Sequence, residues 1–93
     1  MIIYKYKLKQ DPELVQGLTI PAGARFLHAG EQHGELFVWC LIPNPDATTY
    51  TRKVYVFGTG IENTHIQLGD IEYLRFLNTV QMNIGLVWHV FVV

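Results

Sequence analysis

The groups available for metal or acid–base chemistry in this 93-residue sequence are four histidines, one cysteine and eight carboxylates. His28, His33, His65 and His89 are never spaced i, i+2 or i, i+4, and neither HExxH nor CxxC occurs, so there is no local metal-ligand pattern. The acids are scattered and fall mostly in turns, as Asp11, Glu13, Asp46, Glu62 and Asp70 do. Paired-carboxylate hydrolysis needs two acids in one cleft. The chain contains no serine, which removes a serine nucleophile. Cys40 lies inside the run Leu36-Phe37-Val38-Trp39-Cys40-Leu41-Ile42, the setting of a buried small hydrophobe. A reactive thiol wants a basic, partly exposed environment instead. The residue types therefore predict no enzyme, no metal and no cofactor.

Binding chemistry has more candidates. Gly58-Thr59-Gly60 after a strand offers free N–H groups to an anion, but no Lys-Ser/Thr follows, so it is not a P-loop. Arg52 and Lys53 precede Val54-Tyr55-Val56-Phe57, and Arg25 and Arg75 sit in other strand-like runs. Arg75 reads either as an outward charge or as a fork donor to phosphate or carboxylate. Twelve aromatic rings exceed what one small core needs. Trp39 and Trp88 are most simply core residues, yet rings beside cations also stack nucleobases while neutralising phosphates. His89 alternates with Val87, Phe91 and Val93, and a histidine on an apolar face needs a hydrogen-bond partner.

These residues are carried by strands. Ile2, Tyr4, Tyr6 and Leu8 share one face of a first strand, and Ile3, Lys5, Lys7 and Lys9 the other. Further strands are expected over residues 16–20, 24–32, 35–42, 51–59 and 86–93, with residues 70–82 forming one long strand or two short ones. His33-Gly34 and Asn83-Ile84-Gly85 read as hairpin turns. Residues 35–42 and 86–93 are apolar on both faces and ask for cover on both sides. The expectation is one all-β domain over residues 1–93, a small antiparallel sandwich or partly open barrel of six to seven strands with little or no helix.

Net charge is −1 and hydrophobic residues make up 49 % of the chain, which excludes disorder and argues against a nucleic-acid polymer as partner. The apolar surplus implies self-association. There is no run of the roughly 18–20 apolar residues a membrane span needs, and no signal peptide, which points to the cytosol.

Five ordered motifs resemble a family of small phage-encoded β proteins. They are Ile20-Pro21-Ala22-Gly23-Ala24-Arg25-Phe26-Leu27, Gly34-Glu35-Leu36-Phe37-Val38-Trp39, Phe57-Gly58-Thr59-Gly60, Asn78-Thr79-Val80-Gln81 and Gly85-Leu86-Val87-Trp88-His89-Val90-Phe91. The resemblance runs from Tyr4 onward, and the family is similar to phage anti-CBASS sponges. It implies immune evasion in a host bacterial cytosol, by a homotetramer that sequesters a cyclic dinucleotide or related signalling nucleotide without cleaving it. For such a ligand the sequence offers Arg25, Arg52, Lys53 and Arg75 as donors, Tyr55, Trp39 and Trp88 as rings, and Thr79, Gln81, Gln32 and His89 as polar readers. The resemblance assigns none of these contacts individually, and the apolar Val92-Val93 departs from the more polar end expected. The competing readings are a virion or assembly component, and an inhibitor that offers a strand edge to a host protein.

Overall fold

The computed structural model describes residues 1–12, 15–63, 66 and 68–93, with only the backbone at Leu68 and Asp70. Glu13 and His65, weighed above as an acid and a potential ligand, lie outside the described residues. Seven strands form: β1 (Ile2–Leu8), β2 (Val15–Pro21), β3 (Arg25–Gln32), β4 (Glu35–Ile42), β5 (Thr49–Gly58), β6 (Arg75–Gln81) and β7 (Val87–Val92). One four-residue helix, α1 (Leu68–Ile71), precedes β6. The strands make two antiparallel sheets, ordered β1-β4-β3 and β2-β5-β7-β6.

Period-2 alternation dictates how the sheets face each other. Leu36, Val38, Cys40 and Ile42 of β4 are fully buried, as are Val54 of β5 and Val90 and Val92 of β7. Together with Leu8, Ile20, Phe26 and Trp88 they form one core cluster drawn from both sheets. The hairpin at His33-Gly34 has positive φ at both residues (55° and 80°), the backbone of a type I′ turn, whose twist matches the strands it joins.

Two side-chain amides clamp the sandwich at its two sides. Asn78 of β6 accepts from the Ala29 N–H and donates to the Ala29 carbonyl of β3, both at 2.7 Å. Both strands are irregular there, with register shifts between Phe26 and His28 and between Phe76 and Asn78. On the opposite side, Gln16 of β2 accepts from Lys9 N–H and donates to the Lys9 carbonyl, just past β1. Each amide satisfies one backbone donor and one acceptor that no ladder reaches.

One expectation is corrected. Residues 70–82 are not strand throughout: α1 and a turn closed by Leu74 N–H on the Ile71 carbonyl occupy the first part. β5 and β6 run parallel with β7 between them, so the chain must cross before it can pair again. The alternation of Ile71 and Tyr73 buries neither side chain; they are 55 % and 70 % exposed. Within the chain, β4 is fully covered on one face only. Its second face, Phe37, Trp39 and Leu41, is half-buried within the chain and looks out of the three-stranded sheet.

Candidate functional site

The structure does not gather the sequence-derived candidates into one site. Trp88 belongs to the interior, and Arg52 is half-buried at its edge. Arg52 donates from Nε and Nη2 to the Val93 carbonyl (3.1 and 3.0 Å) and from Nη1 to the Ala24 carbonyl (3.1 Å). Its guanidinium lies 4.7 Å from the centre of the Phe26 ring. The arginine closes one end of the core, and its fork is engaged with backbone, not free for a phosphate. Trp88 is 4 % exposed, and its indole N–H donates to Gln10 Oε1 at 3.0 Å.

Lys53, Tyr55, Thr79, Gln81 and His89 share the outer face of the four-stranded sheet, since Tyr55 pairs with Phe91, Thr79 with His89 and Gln81 with Val87. The partner required for His89 is present twice over. Its Nε2 is 2.6 Å from Thr59 Oγ1 and its Nδ1 3.0 Å from Thr79 Oγ1. Tyr55 is only 3 % exposed although it points outward, and Tyr55, Phe57, Phe91 and Phe76 form a continuous row of ring contacts. Lys53 is exposed on this face. Arg75 is exposed at the start of β6, opposite Val92, and so falls on the other side of the sheet.

A shallow groove of about 290 Å³ is lined by Gly58, Thr59, Ile61, Gly85, Leu86, Val87 and Trp88. Part of the anion cradle that Gly58-Thr59-Gly60 suggested is already engaged. The Thr59 and Ile61 amides donate to the Val87 and Gly58 carbonyls. Cys40 is fully buried, and burial pushes its thiol up to about 11, with Arg52 offsetting part of that. A neutral thiol without access to solvent does no chemistry at ordinary pH. Among the described residues, no three His, Cys, Asp or Glu side chains converge on a metal site.

The outer face of the three-stranded sheet has a different character. Antiparallel register sets its side chains in rows across the strands: Ile3, Leu41 and Arg25; Lys5, Trp39 and His28; Lys7, Phe37 and Gly30; then Glu35 and Gln32. Aromatic residues hold the centre and cations the flanks. The benzo end of Trp39 leans across β3 into the space a side chain at position 30 would occupy. A Cβ on Gly30 would meet Trp39 Cζ3 at 3.1 Å, and the His28 ring at 3.7 Å. Gly30 therefore lets the indole lie against the sheet, half-buried, with its remaining surface outward.

Phe37 lies 6.2 Å from Trp39, centroid to centroid. Lys5 Nζ sits 4.6 Å above the Phe37 ring and donates to Gln32 Oε1 at 2.6 Å. Lys7 pairs with Glu35 at 2.7 Å. Arg25 is exposed and makes no hydrogen bond or ion pair among the described residues. Among the described residues of these strands, the face carries Lys5, Lys7 and Arg25 against one acid, Glu35. Sequence reading named Trp39, Gln32 and Arg25 separately but missed their assembly, and it missed Gly30 and Phe37. The lysine face of β1 was visible; its pairing with the aromatic face of β4 was not.

A family model described as "Domain of unknown function (DUF7352)" matches residues 1–93, the whole chain. No curated protein matches the chain, and no solved structure does.

Proposed function

The chain belongs to the DUF7352 family, and on the geometry of its three-stranded face we propose that it is a non-catalytic nucleotide-binding protein that holds and sequesters its ligand. One observation carries the reading: the half-buried indole of Trp39, lodged over Gly30, with Lys5, Arg25 and His28 beside it. An outward indole on a rigid sheet stacks a nucleobase, and cations within a side chain's reach neutralise its phosphate. Arg25 is free for that role, and Lys5 is held by one neutral acceptor. The ligand class, a cyclic dinucleotide or related signalling nucleotide, comes from the sequence resemblance to phage anti-CBASS sponges. On this reading the protein withdraws the signal from a host bacterial cytosol and leaves it chemically intact, as a homo-oligomer.

The test is to purify the protein from cells that make such nucleotides, denature it, and analyse the released ligand by mass spectrometry. An intact nucleotide in stoichiometric amount is expected. Its absence, or a hydrolysed product, would count against sequestration. A second reading, a virion or assembly component, is favoured by apolar side chains left exposed elsewhere. Phe76 is 54 % exposed and Leu27 46 %. It predicts the protein in purified particles and no bound nucleotide.

A further inference from the structure

We infer that the same face takes two successive bases, one on Trp39 and one on Phe37, and that its ligand class therefore includes short single-stranded nucleic-acid segments. This inference rests on the nucleotide-binding reading and extends it. Phe37 and Trp39 are residues i and i+2 on the central strand, so both project outward. Their centroids are 6.2 Å apart. That spacing is about one nucleotide step of an extended strand, so consecutive bases can each meet a ring.

The flanks fit a backbone of repeated phosphates. Lys5 and Lys7 of β1 stand beside Trp39 and Phe37 on one side, in the same two rows. Arg25 and His28 of β3 stand on the other side, Arg25 one row beyond Trp39. The net charge of −1 conceals this asymmetry. Among the described residues of these strands, three cations lie on the face with one acid.

Lys5 occupies the outward side of Phe37 in the free protein. It is exposed, and among the described residues its ammonium makes one hydrogen bond, to the neutral amide of Gln32. A phosphate is a stronger, charge-assisted acceptor for the same ammonium. Moving Lys5 onto a phosphate uncovers Phe37 for the second base, so one movement serves both contacts.

The experiment is a tryptophan-fluorescence and calorimetric titration of the full chain, repeated at several salt concentrations. The probes are a nucleoside monophosphate, a linear dinucleotide and a single-stranded hexanucleotide, compared for the native protein and Phe37→Leu, which keeps an apolar side chain at that position. Affinity is expected to rise roughly 5- to 150-fold from the monophosphate to the dinucleotide, and little further to the hexanucleotide. Phe37→Leu should erase that rise and leave monophosphate binding in place. Binding should weaken with salt at a slope of about −0.7 per neutralised phosphate. Equal affinity for monophosphate and dinucleotide, or a rise that survives Phe37→Leu, would overturn the two-base inference while leaving single-nucleotide binding intact. Failure of every probe to bind would remove the nucleotide reading itself.

Discussion

Replacing Asn78 tests whether the two sheets depend on a side chain acting as a stretch of backbone. Its amide makes two 2.7 Å hydrogen bonds to Ala29, a residue with no exposed surface. Asn78→Ala leaves one buried N–H and one buried carbonyl without partners, at about 1–3 kcal/mol each. The expected loss is about 2–6 kcal/mol, a large share of the roughly 5–15 kcal/mol that stabilises a domain of this size. Urea unfolding followed by tryptophan fluorescence reads it directly.

Asn78→Asp sharpens the test. Its carboxylate still accepts from the Ala29 N–H but faces the Ala29 carbonyl with negative charge and no proton to give. The folded state then favours the protonated acid, so the folded pKa is raised. The penalty is full above that raised pKa and shrinks as pH falls through it, because the neutral acid can donate to the carbonyl. A loss below about 1 kcal/mol for Asn78→Ala, or an Asn78→Asp penalty that ignores pH, would refute the clamp.

The other predictions concern residues that the structure places in or against the core. Arg52→Lys keeps the charge but cannot span both Val93 and Ala24, so it should cost about 1.5–3 kcal/mol in urea unfolding and leave nucleotide affinity unchanged; reduced affinity at native stability would restore Arg52 as a ligand donor. Trp88→Ala should cost about 3–5 kcal/mol, measured the same way, as expected for a core indole that also loses its bond to Gln10. The folded state favours the neutral Cys40 thiol, whose pKa rises from 9.0 to about 11. Its contribution is therefore full below pH 9 and is lost as pH climbs towards 11, by about 2–3 kcal/mol. Cys40→Val should lack this loss, and equal pH slopes for the two proteins would contradict it.

Most strands were legible because alternation and turn chemistry are local. Ile2 to Leu8 alternates cleanly, Leu36 to Ile42 does so in the half that becomes core, and His33-Gly34 supplies the positive φ a tight hairpin demands. What depends on pairing at long range was not legible. Gln16 and Asn78 look like ordinary polar strand residues, and only the approach of the sheet edges makes them clamps. Arg52 beside Lys53 resembled a pair of phosphate donors, but the alternation turns Arg52 towards Ala24 and Phe26. Residues 70–73 alternate like a strand, while topology makes them part of a crossing. The three-stranded face combines lysines about 30 residues in sequence from the aromatics they flank, so no local window contains it.

The central claim rests on one ring. Calorimetry with a panel of cyclic dinucleotides, run on the native chain and on Trp39→Ala, tests it most directly. The account predicts a native Kd below about 1 μM for at least one member, near −8 kcal/mol. It also predicts affinity weakened roughly 5- to 150-fold in a Trp39→Ala protein whose strand content, read by circular dichroism, matches the native chain. No binding to any member, or equal affinity for the two proteins, would contradict it.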